Sequence, residues 1–330
     1  MTHQRAYTDD HGAPVELLAE VARQYYERFM TQAEIAQNIG VSRSQVSRYL
    51  KAAQEAGIVQ ITIALPAASD PELEAELRSR FKRLREVAII PTTPSSPSAT
   101  VLSRVAAAGA GMLQRLVQPD DTVSVGAGRT LAQLVTALEP RKQDGVVVVQ
   151  AMGNVGHEGH DIDYNAIAHG VAAAFGGRLF QINAPAILSV PYLAEDMERS
   201  HASIGNAVSR ARKADVFIIG LGTIASDTLF VTTGLLTDDD IEAVSQAEPA
   251  GDICGRFYDP KGKPIATPFD DRIVGIRLDD LKKARSVLAV ASGAEKAVPM
   301  LGALRGGYLT HVATDDIVAR QMLDRVARKH

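Results

Sequence analysis

Apolar residues at Leu17, Leu18, Val21, Tyr25 and Phe29 recur at close to helical spacing and predict that "PVELLAEVARQYYERFM" is an amphipathic helix. Thr31 is placed to N-cap a second, short helix, "QAEIAQNI", with Glu34 three residues on completing a capping box. Its inner face carries Ile35, Ala36 and Ile39, and Gly40 is the usual residue for a left-handed helix end. After only Val41, Ser42 is placed to cap a third helix, "RSQVSRYLKAAQEA", on which Val46, Leu50 and Ala53 share one face. Gly57 ends it, and "IVQITIAL" then alternates as a strand. Two helices joined by so short a turn and followed by a strand describe a winged helix-turn-helix.

A Pro-Ala-Ala-Ser break follows, which predicts a domain boundary near residue 65, with domains 1–65 and 66–330. The second begins with a helix capped near Asp70 that puts Leu73, Leu77 and Phe81 on one face. A Pro/Ser-rich loop, "PTTPSSPSAT", precedes another helix. From there apolar strands ("TVSVG", "GVVVVQAM", "GRLFQI", "ADVFIIGLG", "SVLAVAS", "THVAT") alternate with helices that include "TLAQLVTALE", "NAIAHGVAAAFG" and "TDDIVARQMLDRV". Continuous apolar runs separated by helices indicate an α/β, Rossmann-like domain whose mainly parallel sheet is covered on both faces. Ligands of such sheets bind outside the carboxyl ends of the strands.

Composition narrows the classes. With 46% hydrophobic and 22% charged residues in 330, the chain is globular and ordered. Cys254 is its one cysteine, which excludes an intrachain disulfide and points to a reducing interior. No apolar run approaches the ~20 residues that span a bilayer, and the polar, acidic start is unlike a signal peptide. The expectation is a soluble, cytoplasmic protein with no membrane partner. The net charge of -4 gives no help to a nucleic-acid reading. Residues 1–63 hold six Lys and Arg against seven Asp and Glu, a net -1. The third helix, however, places Arg43, Arg48 and Lys51 with no acid before Glu55. Arg bonds guanine bidentately, Gln45 can do the same to adenine, and Ser42, Ser44 and Ser47 suit phosphates. The bland alternative is a solvated helix in an αα-hairpin.

Four strand ends read as ligand loops. Gly126-Ala-Gly128-Arg129-Thr130 opens a helix, so its backbone N–H groups and the two side chains suit a phosphate or carboxylate. An ordinary tight turn is the other reading. Ser292-Gly-Ala-Glu295-Lys296 has the spacing of a capping box, and Lys296 falls in a first turn, where the helix dipole disfavours a cation unless an anion is near. Leu221-Gly222-Thr223-Ile224-Ala225-Ser226 is rich in backbone donors and hydroxyls, and Thr314-Asp315-Asp316 opens a helix with carboxylates that cap it or bond sugar hydroxyls. "QAMGNVGHEGHDIDYN" holds His157, Glu158, His160, Asp161 and Asp163, at spacings that match no zinc motif. Its readings are a polar loop beside the ligand or a solvated loop, and no metal or cofactor is expected.

The segment "YYERFMTQAEIAQNIGVSRSQVSRYLKAAQEAGIVQITI" resembles the DNA-binding domain of the SorC family of bacterial transcriptional regulators, through "T-Q-x-E-I-A", "S-R-x-x-V-S-R" and "G-I-V-x-I". Further stretches resemble the family's effector domain in order: "VSVGAGRTLAQLV", "VVQAMGN", "AVSRARKADVFIIGLGTI", "GDICGRFYDPKGKPI" and "VLAVASGAEKAVPMLGALRGGYLTHVATDDIVARQML". The resemblance implies a fold related to sugar-phosphate isomerases and deaminases, and a phosphate site at Gly126–Thr130 and Lys296, with Gly222, Thr223 and Asp315 at the same pocket. The expected effector set is Gly126, Gly128, Arg129, Thr130, Asn154, Gly222, Thr223, Lys296 and Asp315. The expected function is control of a carbohydrate or polyol operon by a homo-oligomer, dimer or tetramer, that binds operator DNA and a sugar, polyol or sugar phosphate. The rival class is a sugar-phosphate isomerase or deaminase, for which Asp161, Asp163, Asp252 and Asp315 are the candidate bases. A third reading is a sugar sensor that has lost DNA binding.

Overall fold

The computed structural model describes residues 14–59, 70–156, 163–189, 193–223, 230 and 234–327. The chain divides into two compact units, Met1–Leu65 and Pro66–His330.

The first unit contains helices α1 (Val15–Tyr26), α2 (Gln32–Ile39) and α3 (Arg43–Glu55). The expected caps are in place. Glu34 accepts from the Thr31 backbone N–H at 2.8 Å while the Thr31 hydroxyl accepts from Glu34 N, and Ser42 Oγ accepts from Gln45 N at 3.2 Å. Gly40 ends α2 in the left-handed conformation. Leu18, Val21, Ile35 and Val46 are fully buried where the helices meet. Gln54 at the end of α3 donates to the Tyr26 hydroxyl at 2.9 Å, which ties α3 to α1. Phe29 departs from the predicted helical face. The chain must turn between Tyr26 and the Thr31 cap, so α1 stops short, Phe29 takes a φ of 53° and is 86% exposed. Met30 packs inward in its stead. Ile58 and Val59 rest on the core without forming a strand, and the remainder of the predicted strand, residues 60–65, lies outside the described residues.

Along the second unit run α4 (Pro71–Arg80), β1 (Glu86–Ile90), α5 (Ser98–Leu116), β2 (Thr122–Val125), α6 (Arg129–Thr136), β3 (Val147–Gln150), α7 (Tyr164–Phe175) and β4 (Arg178–Phe180). Then come α8 (Leu193–Ser200), α9 (Ala202–Arg212), β5 (Val216–Ile219), α10 (Asp238–Gln246), β6 (Gly251–Ile253) and β7 (Arg256–Tyr258). The chain finishes with α11 (Leu278–Lys283), β8 (Ser286–Val290), α12 (Ala297–Arg305), β9 (His311–Asp315) and α13 (Asp316–Ala327). Seven strands form one sheet in the order β1-β9-β8-β5-β2-β3-β4. Every pairing in it is parallel. Alternate residues of each strand enter two cores: Phe217, Ile219 and Ala289 on the face covered by α9, α12 and α13, and Val125, Ile218 and Val290 on the face covered by α5, α6 and α7.

A third, smaller cluster gathers Phe230, Leu236, Val244, Phe257, Phe269 and Ile273 with Met152 and Ala127, residues that follow β3 and β2. It forms a lobe over the carboxyl ends of those strands. Within it β6 and β7 pair antiparallel through Cys254 and Gly255, both at positive φ, as a two-residue hairpin turn needs. Phe81 ends α4 in an extended conformation and still packs against the core that Leu73 and Leu77 enter. Among the described residues no helix is long and apolar enough to cross a membrane.

Arg272 and Asp240 meet inside the lobe, 8% and 7% exposed, in a charge-assisted bond at 2.5 Å. Burial works against the Asp240 carboxylate, but the bonds from Arg272 and Thr237 hold it below the usual carboxylate range. Removing only the cation leaves a buried carboxylate uncompensated. Arg272→Met is expected to lower stability by about 3 kcal/mol, and the double variant Asp240→Leu, Arg272→Met by less. Urea denaturation of the full chain measures both.

Candidate functional site

On α3, Arg43, Ser44, Ser47, Arg48 and Lys51 are exposed, Gln45 is half-buried, and Val46, Leu50, Ala52 and Ala53 face the core. The candidate DNA-reading residues thus share the outer side of one helix. Arg43 and Arg48 enter no ion pair among the described residues, whereas Lys51 Nζ lies 3.5 Å from Glu55 Oε1. Ser42 is occupied: its hydroxyl caps α3 and also meets Ser44 Oγ at 2.9 Å.

In the sheet, β2 leads on through β3 to β4, and the chain then resumes on the other side of β2 with β5, β8 and β9. The order reverses between β2 and β5, which is where open parallel sheets have their crevice. The predicted loops stand along that edge in the spatial order Asp315, Lys296, Gly222, Gly126–Thr130, Asn154. Gly126 N donates to Ile218 O at 2.8 Å, so the β2 loop is clamped to β5. Gly128, at φ 145° and ψ 155°, caps α6 in a conformation that L side chains rarely adopt. Arg129 follows exposed and Thr130 half-buried at the start of that helix. Lys296 Nζ donates to Leu221 O at 2.9 Å, which aims the ammonium at the end of β5. Thr223 is half-buried beside it.

Gly222 and Asp252 exchange backbone bonds, Gly222 N to Asp252 O at 3.0 Å and Asp252 N to Gly222 O at 3.3 Å. A Cβ at 222 would fall 1.7 Å from Asp252 Oδ1, so this glycine is required by the carboxylate's close approach. Asp252 is buried and its Oδ2 accepts from Gly255 N at 2.9 Å. Burial pushes its carboxyl up to about 6, against the pull of the Gly255 N–H and of Lys296.

Two expectations are corrected. The capping box from Ser292 to Glu295 does not form: Gly293 caps the 3-10 turn Ala294–Lys296 with no side-chain bond. The Gly293 N–H is taken by Asp315 Oδ2 at 2.8 Å instead. Lys296 accordingly stands just before α12, as its N-cap residue. Asp315 itself is buried and caps α13, its Oδ1 accepting from Val318 N at 2.9 Å, so both oxygens serve the backbone. Asp163 likewise caps α7. His157, Glu158, His160 and Asp161, and Ile224–Ser226, lie outside the described residues.

Asn154 is half-buried, and its Oδ1 is 3.5 Å from Gln150 Nε2. Gln150 and Asp252 are the residues that the effector set lacks. Gln150 carried a signal, an amide closing the buried run "VVVVQ" at the strand end, whereas Asp252 lies in the middle of β6.

Residues 66–324 match the family described as "Putative sugar-binding domain", and residues 26–60 match the winged helix-turn-helix DNA-binding family. The chain is 29% identical to the sorbitol operon regulator of Klebsiella pneumoniae over 95% of this chain and 99% of that protein. It is 29% identical to the deoxyribonucleoside regulator of Bacillus subtilis over 94% of this chain and 97% of the relative. The crystal structure of the full-length K. pneumoniae sorbitol operon regulator SorC superposes with a TM-score of 0.70, covering 94% of this chain and 99% of that one. The chain therefore belongs to the SorC family, in which a helix-turn-helix precedes a sugar-binding domain.

Proposed function

We propose that the protein is a transcriptional regulator that grips operator DNA through the outer side of α3 and releases or tightens that grip when a sugar, polyol or sugar phosphate binds at the strand ends of the second unit. The observation that carries this reading is the occurrence, in one chain, of an exposed basic helix face, on which Arg43 and Arg48 enter no ion pair among the described residues, and a crevice that has Gly126–Thr130 on one side and Lys296 on the other. Residues 1–65 then serve as the DNA-binding domain and 66–330 as the effector and assembly domain. Arg43, Gln45 and Arg48 read bases; Ser44, Ser47 and Lys51 hold phosphates. So few contacts per helix give modest specificity, so a homo-oligomer that presents several helices to one operator is required physically. Such a protein acts inside the cell, where its operator is. The effector controls the grip by binding one arrangement of subunits better than another.

The reading is non-catalytic. Asp315 and Asp163 are committed to helix caps, and Asp252 is buried against Gly255 and Gly222, so these three candidate bases each already hold backbone N–H groups or backbone in close contact.

Arg43→Ala with Arg48→Ala is expected to weaken binding to the DNA upstream of the protein's own gene about 100-fold, since a bidentate base contact is worth about 1–3 kcal/mol. Gel shift measures it, and normal binding by the double variant defeats the assignment of α3. In thermal-shift screening, Lys296→Met is expected to lose stabilisation by phosphorylated sugars about tenfold in midpoint concentration, the scale of one charge-assisted bond, while free sugars are unaffected. Asp252, with a folded value raised to about 6, stabilises the fold fully below the ordinary carboxylate range and loses that contribution as pH rises through 6. Asp252→Asn, which cannot ionise, is expected to gain stability relative to the parent between pH 4 and pH 7; urea midpoints across that range check the sign.

A further inference from the structure

Two basic runs, "KRLR" at 82–85 and "KKAR" at 282–285, stand immediately before β1 and β8. In the sheet only β9 separates those strands, so the runs stand about 10 Å apart at the amino edge, opposite the ligand loops. Hydrogen bonds stitch them together. Arg83 donates to Leu281 O at 2.8 Å, to Ala284 O at 3.2 Å and to Gly307 O. Arg85 donates to Arg285 O at 3.0 Å. Carbonyl partners fix the direction of these guanidinium groups and leave their charge in place.

Carboxylates compensate little of that charge. Asp121 pairs with Arg285, Asp279 with Lys282, and Glu86 with Arg115, while Asp280 accepts from the Arg277 backbone N–H. Lys82, Arg83, Arg85 and Lys283 enter no ion pair among the described residues. Arg83 is half-buried and the other three are exposed. Helix ends explain part of the arrangement. Arg83 meets the last carbonyls of α11 and the turn after α12, and a helix C-terminus carries about half a negative charge. Two such ends offset about one of the four cations. The rest crowd one another: burial, and then the charge of Arg85, hold the Arg83 guanidinium below its usual pKa. Like charges gathered in this way do not help a chain to fold, and here they gather in a chain whose net charge is -4. Such a local conflict belongs to a surface that has a use.

A row of cations along an edge, without a pocket's walls, suits an extended polyanion. Duplex DNA presents one negative charge per about 1.7 Å of its axis. It is also the polyanion that the proposed function already brings to the chain, and α3 offers its phosphates only Ser44, Ser47 and Lys51.

We infer that Lys82, Arg85 and Lys283, backed by the charge of Arg83, form a second DNA contact at the amino edge of the sheet, which takes backbone phosphates outside the segment that α3 reads. The contact carries no sequence information; it releases counterions and lengthens the stretch of DNA that is held. The inference rests on the DNA-binding reading proposed above.

Fluorescence-anisotropy titrations of the full chain test this with two duplexes. One is the segment that the protein protects from nuclease upstream of its own gene; the other extends it on each side by about three helical turns of unrelated sequence. The longer duplex is expected to bind about tenfold tighter at low salt, and its affinity to fall more steeply with salt, by about one in log–log slope for each phosphate gained. Lys82→Glu with Lys283→Glu is expected to abolish both differences and leave the short duplex within about twofold. Lys82→Arg with Lys283→Arg is expected to keep them. Both lysines are exposed, so an unchanged thermal midpoint is expected of each variant. Lys283→Gln, which introduces no repulsion, is expected to lower the slope on the longer duplex by about one for each copy bound. The contact is overturned if the parent binds both duplexes with equal affinity and equal slope, or if the double glutamate variant keeps the advantage of the longer one. It is equally overturned if that variant loses only binding to polyglutamate, which would give the edge to an acidic protein. Failure of the parent to bind either duplex defeats the reading of α3 itself.

Discussion

All seven strands of the sheet point the same way, and the geometry of the candidate site follows from that one constraint. A parallel strand must return through a crossover before it can pair again, so each loop after a strand emerges at the same edge. The order reversal between β2 and β5 then opens a gap between loops that diverge to opposite sides. Segments as distant in sequence as Gly126, Gly222 and Lys296 become neighbours without any long-range signal of their own. At these ends Asp252 lies buried against the Gly222 backbone, and that burial raises its pKa.

Carboxylates at this edge do more architecture than their positions suggest. Asp315 fastens the β8 loop with one oxygen and starts α13 with the other. Asp252 shapes the hairpin turn at Cys254–Gly255 and dictates a glycine at 222. Under the proposed function, direct ligand contacts fall to backbone N–H groups, amides and the two cations, a division that suits an effector which leaves again unchanged.

Elements with strong local chemistry were legible in sequence. Thr31 and Glu34 announce α2, and the runs "VVVVQ", "VFII" and "SVLAV" are too long and apolar to sit anywhere but in a buried sheet. Elements held mainly by distant partners were not. "EVAII" of β1 follows a basic helical stretch and becomes a strand only by pairing with β9. "GDI" and "RFY" are too short for any periodicity to register. Phe29 is apolar yet exposed because a turn, and not its chemistry, determined its direction. In the site, the loops were legible because strand ends were; Gln150 was missed and Asp252 was singled out only as a candidate base, because their importance lies in which backbone groups they meet.

Lys51 on α3, the proposed reading helix, shares its charge with Glu55 one turn on. An exposed pair at that spacing is worth only about 0.3–0.5 kcal/mol, so a DNA phosphate displaces it readily. The carboxylate it releases then stands unpaired beside a polyanion, and the gain from Lys51 is largely offset. Under the proposed assignment Arg43 and Arg48 are directed at bases, so in counterion terms each α3 adds little more than the offset charge of Lys51. Because the salt dependence of binding counts the phosphates neutralised, a complex built from such helices stays comparatively tolerant of ionic strength, and its specificity lies in the arginines.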